Sequence, residues 1–287
     1  MSTSATASAP ADELYAVIGN PIQHSQSPFI HAAFARQTGE PVRYSRVLSP
    51  FDGFADTLRQ FIAEGGKGCN VTVPFKLEAP GLAARVSERA ALAGAANVLD
   101  LRPDGWVADN TDGIGLARDI ANAGVPLDGT RVLLVGAGGA AAGALGPLIE
   151  GRPREIVVAN RTPAKAQALV DRHADWARRH GVRLQAGGLD LPEGPFDVVL
   201  NSSATSLQGA AVPVPASVLR PGTLAIDLMY GPAAEPFLQW ARAHGAVARD
   251  GLGMLVEQAA EAFFLWRGVR PQTAPVLAAL REALARP

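Results

Sequence analysis

A chain of 287 residues has room for two domains of about 100–200 residues each. Its 26 basic and 27 acidic side chains leave a formal charge of −1, so no broad field favours nucleic acid or a membrane surface, and the expected partner is a small molecule. Cys69 is the only cysteine, which excludes an internal disulfide framework and suits a reducing, cytoplasmic setting.

Residues 1–13 are rich in Ser, Ala and Thr. They lack the basic start and apolar core of a signal peptide and read as a disordered tail. No internal repeat is evident beyond an alternation of strands and helices. A strand over 15–19 ends in the turn residues Asn20 and Pro21. Ser27 and Pro28 supply a capping hydroxyl and a first-turn proline for a helix stopped by Gly39. Residues 42–48 read as a strand. Phe54, Leu58, Phe61 and Ile62 mark one face of a helix that ends at Gly65 and Gly66. Strands follow over 68–72 and 95–101, and a helix over 114–123. Parallel strands joined by helices make an open, mostly parallel α/β sheet the expected solution for this half. The first boundary is placed near Gly124, giving domains over 14–120 and 121–250.

The second half opens on Val132 to Val135, an apolar strand running into Gly136, Ala137, Gly138, Gly139, Ala140 and Ala141. Gly136, Gly138 and Ala141 fill the dinucleotide pattern G-x-G-x-x-[GA], in which glycines allow a tight turn and let backbone approach a pyrophosphate at a helix N-terminus. The uncharged run from Val132 to Ile149 would also be long enough to span a membrane, but its five glycines and Pro147 argue against that. A strand over 155–159 completes a βαβ unit and ends in Asn160, Arg161 and Thr162, with Lys165 one helical turn on. Sites that take NAD usually place a carboxylate ~20 positions past the turn. A guanidinium and an amine stand here instead, so the expected cofactor is NADP. A polar helix over 163–180, strands at 197–200 and 223–228, and helices over 235–244, 251–266 and 272–285 follow. Periodicity does not say which domain the last two helices join.

Outside the nucleotide unit lie several short polar stretches. Ser25 and Ser27 precede a helix start, where hydroxyls and free N–H groups can cradle a carboxylate; the plainer alternative is that Ser27 caps the helix. Lys76 follows an apolar strand end, the place where open α/β sheets hold ligands, and an amine can serve as general acid or base. Asp112 could steer that ammonium, or be an ordinary turn aspartate. Asn97 and Gln258 are amides in apolar runs, where burial requires a partner.

Taken in order, His24-Ser-Gln-Ser-Pro28, Asn70-Val-Thr-Val-Pro-Phe-Lys76, Gly94-Ala-Ala-Asn97, Asn110-Thr-Asp-Gly113, Gly136-Ala-Gly-Gly-Ala140, Asn160-Arg-Thr162 and Gly253-Met-Leu-Val-Glu-Gln258 resemble the shikimate dehydrogenase family across nearly the whole chain. The resemblance implies reversible reduction of 3-dehydroshikimate to shikimate with NADPH, in the pathway to aromatic amino acids. It implies Lys76 and Asp112 as the catalytic pair, and Ser25 and Ser27 on the substrate carboxylate. Thr72, Asn97 and Gln258 would meet the ring hydroxyls, and Tyr230 the substrate side. Gly136, Ala137, Gly138, Gly139 and Ala140 would cover the pyrophosphate, and Asn160, Arg161, Thr162 and Lys165 the adenosine phosphate. Met229 and Gly251 would line the nicotinamide. It also implies that residues 251–287 return to the first domain, so that Gln258 faces the cleft between a substrate domain and a Rossmann-like domain. Asn201-Ser-Ser-Ala204 departs from the family's usual Asn-Ala-Thr-Ser, and Lys165 stands where arginine is frequent, losing a bidentate fork. Alternatives are a catabolic quinate and shikimate dehydrogenase favouring NAD, a nucleotide-binding sensor that has lost catalysis, and a methyltransferase. A monomer or homodimer is expected.

Overall fold

A computed structural model describes residues 12–203 and 212–286. Residues 1–11 of the expected tail, and Ala204, lie outside the described residues. Glu13, assigned to that tail, instead opens the first strand and pairs with Arg267 at 2.7 Å.

The first sheet is built from β1 (Glu13–Gly19), β2 (Val42–Leu48), β3 (Gly66–Val71), β4 (Arg85–Val86), β5 (Val98–Arg102) and β6 (Gly105–Asp109), in the order β2-β1-β3-β5-β6-β4. Its β2-β1-β3 portion is parallel, with α1 (Ser27–Thr38) and α2 (Phe54–Ala63) as crossovers. The remainder departs from expectation. After α3 (Glu88–Ala93), β5 runs antiparallel to β3 and forms a hairpin with β6. Residues 103–105, Pro-Asp-Gly, supply that turn, with Gly105 at φ 114°, a conformation L side chains avoid. The helix after β6, α4 (Asp112–Asn122), begins two residues earlier than its apolar periodicity implied.

The second sheet contains β7 (Arg131–Val135), β8 (Glu155–Ala159), β9 (Arg183–Gly187), β10 (Val198–Asn201), β11 (Leu224–Asp227) and β12 (Val247–Arg249). All are parallel, in the order β12-β11-β10-β7-β8-β9. This is the doubly wound topology, and the strand order reverses between β7 and β10, where such sheets bind ligands. Crossover helices α5 (Gly139–Glu150), α6 (Pro163–His180) and α7 (Glu235–Ala243) cover its faces.

The chain then returns. α8 (Leu252–Arg267) and α9 (Ala274–Ala285) pack with α1: Ile30, Phe34, Val256, Phe263, Val276 and Leu280 form one buried cluster. Ile18, Phe54, Leu58, Phe61, Val71 and Phe75 form another, with Leu99 and Trp106. The core of the second sheet reaches across the junction, joining Val132, Leu134, Ala144 and Leu148 to Leu116 and Ile120 of α4 and Met254 of α8. Burial of apolar area at ~25 cal/mol per Å² thus holds the two sheets together through α4 and α8.

Candidate active site

Lys76 sits in a 3-10 turn, Phe75–Leu77, that begins after a three-residue link from the β3 strand end. Phe75 is buried and stacks on Phe54 at 4.8 Å, which fixes the turn while the lysine stem leaves it. Lys76 Nζ donates to Asp112 Oδ2 at 2.6 Å, with the two side chains 25% and 8% exposed. Among the described residues this ammonium makes no other hydrogen bond, which leaves two of its three N–H donors for a substrate oxygen. Asp112 is the first residue of α4, where a carboxylate is favoured by the helix N-terminus. Its Oδ1 accepts from Asn97 Nδ2 at 2.8 Å, so the carboxylate is held from both sides.

Asn97 is 2% exposed. Its Oδ1 accepts the Thr111 N–H at 2.7 Å, and its Nδ2 lies 3.0 Å from Thr111 Oγ1 and 3.1 Å from Gln258 Oε1. Gln258 donates its own amide to Leu255 O at 2.9 Å, which turns its carbonyl oxygen toward Asn97. The structure therefore brings Lys76, Asp112, Asn97 and Gln258 into one cluster. Thr111, to which the sequence reading assigned no role, belongs to it.

The Ser25–Ser27 pair is also formed: Ser25 Oγ donates to Ser27 Oγ at 3.2 Å. Capping is the reading that fails. The helix starts one residue earlier, with Ile30 N–H on Gln26 O at 3.1 Å, and its cap residue Gln26 makes no side-chain cap bond. Pro28 removes one of the N–H groups a cap would satisfy. Arg46 on β2 holds the loop by donating to Ser25 O at 2.6 and 3.0 Å. Behind it, Tyr44 donates to Asn70 Oδ1 at 2.6 Å, and Asn70 Nδ2 to Asn97 O at 3.1 Å, a polar wall that runs from the serines toward the amide cluster. Its backing is His31, fully buried and stacked flat on Tyr44 at 4.1 Å and 4°. Burial lowers the His31 pKa from 6.5 to about 3 against a weaker opposing pull from Asn70, so the ring is neutral. Thr72 lies beside this wall at the β3 end, its N–H on Ile18 O at 3.0 Å.

The second group of residues lies at the switch point. Gly136 has φ 110° and leaves β7 beside Ser202, which follows β10. A cleft there is lined by Gly136, Ala137, Gly138, Asn160, Arg161, Thr162 and Lys165. Gly138 and Gly139 have open space where a Cβ would stand, so a ligand can approach the backbone. Gly139 and Ala140 form the first turn of α5 rather than the cleft wall. Arg161 and Lys165 are exposed, and no ion pair occupies either among the described residues. Asn160 donates to Thr162 O at 2.9 Å, which shapes the turn that presents them. Leu189, Ser202, Ser203 and Pro213 also line the cleft. Leu189 and Pro213 carried no sequence signal, since a lone apolar residue in a loop has no periodicity. The donor set fits a dinucleotide with an extra phosphate: free backbone at a helix start plus two cations that no carboxylate among the described residues neutralises.

Backbone contact joins the two groups. A Cβ on Gly113 would stand 2.2 Å from Gly143 O, and one on Gly143 3.1 Å from Asn110 Oδ1. The start of α4 therefore lies directly on α5, the helix that opens at the glycine turn. Met229 N–H donates to Asp227 Oδ1 at 2.8 Å, and Gly251 N–H to Met229 O at 2.9 Å. A side chain at Gly251 would strike Leu228 O at 2.3 Å. Tyr230 packs partly buried against the α1/α8 cluster, and burial raises its hydroxyl pKa.

Three family descriptions match the chain: "Shikimate dehydrogenase substrate binding domain" over residues 17–99, "Shikimate / quinate 5-dehydrogenase" over 116–190 and "Shikimate 5'-dehydrogenase C-terminal domain" over 251–281. The "Shikimate dehydrogenase (NADP(+))" of Acidovorax sp. (strain JS42) is 64% identical over 276 residues, covering 96% of this chain and 98% of that one. An Ael1 enzyme from Pseudomonas putida has a similar crystal structure, with TM-score 0.87, 48% identity and coverage of 94% and 98%. So does the shikimate 5-dehydrogenase of Thermus thermophilus in complex with NADP(H) and shikimate, with TM-score 0.81, 30% identity and coverage of 94% and 99%. The ordered motifs, the two sheets and these matches agree: the chain belongs to the shikimate dehydrogenase family.

Proposed function

We propose that the protein catalyses the reversible, NADPH-dependent reduction of 3-dehydroshikimate to shikimate, a step toward aromatic amino acids. The observation that supports this most is the 2.6 Å Lys76–Asp112 contact braced by Asn97 at the start of α4, whose first turn lies against α5, the helix that the glycine turn opens. Residues 14–120 with 251–287 would form the substrate half, and residues 121–250 the cofactor half. NADPH, when bound, supplies the hydride. Gly136, Ala137, Gly138, Gly139 and Ala140 hold its pyrophosphate, Asn160, Arg161, Thr162 and Lys165 its adenosine phosphate, and Met229 and Gly251 its nicotinamide side.

Ser25 and Ser27 bind the substrate carboxylate. Thr72, Asn97, Gln258 and Tyr230 hold the ring. Lys76 Nζ gives its proton to the carbonyl oxygen as that oxygen gains negative charge, and Asp112 keeps the ammonium aimed. A site lined with hydrogen-bonding groups rejects analogues that lack the hydroxyls, because its own donors would be left unpaired. Both members of the pair being present speaks against a sensor that has lost catalysis. The cationic turn speaks against an NAD-preferring quinate enzyme and has no use in a methyltransferase.

Among the described residues no helix is long and apolar enough to cross a membrane. We place the enzyme in the cytoplasm as a monomer or homodimer acting on a small molecule. The test is absorbance of reduced nicotinamide with shikimate or quinate, each with NADP+ and NAD+. Shikimate with NADP+ should be the fastest combination; faster turnover of quinate with NAD+ would replace this assignment by the catabolic one.

A further inference from the structure

The Lys76–Asp112 pair is tied to the cofactor half by a contact outside the cleft. Residues 94–97, Gly-Ala-Ala-Asn, form the turn that holds both members of the pair. Ala96 N–H donates to Lys76 O at 2.8 Å, and Asn97 Nδ2 to Asp112 Oδ1 at 2.8 Å. Asn110 Nδ2 donates to Ala95 O at 3.0 Å. The turn begins where α3 ends, at Gly94 with φ 64°. A helix end leaves carbonyls without partners and favours a cation. Here that cation comes from the other half of the molecule: Arg172 of α6 donates Nη1 to Ala93 O at 3.1 Å. Its guanidinium also occupies the space over Gly94, where a Cβ would meet Nη1 at 2.6 Å and Cζ at 3.5 Å.

α6 is the helix whose first turn presents Lys165 beside Arg161. Lys165 and Arg172 are seven residues apart, so they share a helix face and are separated along the axis by about 10 Å. One rigid rod thus reaches from the expected adenosine phosphate site to the turn that carries the proton-donating pair. We infer that Arg172 is a positioning residue: it sets the Gly94–Asn97 turn, and through it the Lys76–Asp112 geometry, from the cofactor half. This rests on the dehydrogenase reading above. Because Arg172 is exposed and touches the turn rather than the cleft, its removal should lower turnover more than it weakens ligand binding.

The experiment compares wild type, Arg172→Met, which keeps the stem and loses the donor, and Arg172→Lys, which keeps a charged donor. Rates of 3-dehydroshikimate reduction are measured with NADPH and with NADPH deuterated at the transferred position. For Arg172→Met we expect kcat to fall roughly three- to tenfold with both KM values within about twofold of wild type, the pattern of lost transition-state interactions. The isotope effect on kcat should stay the same or grow, because the chemical step has slowed, and Arg172→Lys should recover most of the rate. The inference is overturned by an unchanged kcat in Arg172→Met. It is equally overturned by a fall that Arg172→Lys does not relieve, or by one accompanied by a smaller isotope effect, which would mean that domain motion rather than positioning had been lost. An inactive wild type would instead sink the dehydrogenase reading itself.

Discussion

His31 offers a quantitative check on the substrate half. Its ring is fully buried behind the Tyr44–Asn70 wall, and burial lowers its pKa to about 3 against the weaker opposing pull from Asn70. In the unfolded chain the same ring titrates near 6.5. Below that pH the unfolded state binds a proton that the native state does not. The stability from this site is therefore complete above pH 6.5 and is lost progressively as the pH falls toward 3. With these two values the loss between pH 7 and pH 5 is about 2 kcal/mol. His31→Phe keeps a flat ring on Tyr44 and removes the titration. Urea unfolding of wild type and variant at both pH values isolates the site, since every other group titrates in both proteins. Wild type should lose about 2 kcal/mol more than His31→Phe on going from pH 7 to pH 5. Equal losses would show that the ring is protonated in the native state or reaches water, and the dry backing described for the wall would be wrong.

Arg161→Ala should weaken NADPH binding by about 1.5–3 kcal/mol, the scale of a hydrogen bond to a charged group, and leave NADH nearly unchanged; titration calorimetry with both cofactors decides it, and equal losses would remove the phosphate assignment. Ser25→Ala should raise the KM for shikimate while kcat changes less, as expected when a ground-state contact is removed; an unaffected KM would take Ser25 out of the carboxylate site. Gly113→Ala places a methyl 2.2 Å from Gly143 O, so backbone must shift, and we expect a cost of about 1–3 kcal/mol in unfolding experiments together with lower turnover. Full stability and activity in that variant would show that α4 and α5 are not fitted to each other as described.

Much of the candidate site was legible because chemistry-bearing residues stood where strands end. The glycine turn after β7 and Lys76 after β3 are local signals, readable from an apolar run followed by a polar break, whereas Asp112 read equally well as a turn aspartate and its pairing with Lys76 came from family resemblance. The final helices are a different case: their periodicity was plain, but the domain they join was supplied by family resemblance, and in the structure they pack into the α1/α8 cluster. What sequence reasoning missed depends on pairing between distant segments. β9 and β12 are edge strands with a weak apolar pattern, visible only once β8 and β11 offer them hydrogen bonds. β5 read as part of a parallel sheet because strand direction leaves no periodic trace, and its antiparallel partner β6 was not assigned as a strand at all. Ser27 looked like a cap because a hydroxyl before Pro28 usually is one; the backbone took Gln26 instead, leaving the hydroxyl paired with Ser25. Thr111, Leu189 and Pro213 gain their places from the fold alone.

The central claim is that Lys76 delivers the proton to the reacting oxygen. Its most direct test is NADPH-dependent reduction of 3-dehydroshikimate by Lys76→Ala beside wild type, with cofactor affinity measured on the same samples. Turnover should fall by roughly 10²–10⁴ while NADPH binds nearly as before. A rate within a few fold of wild type would contradict the account.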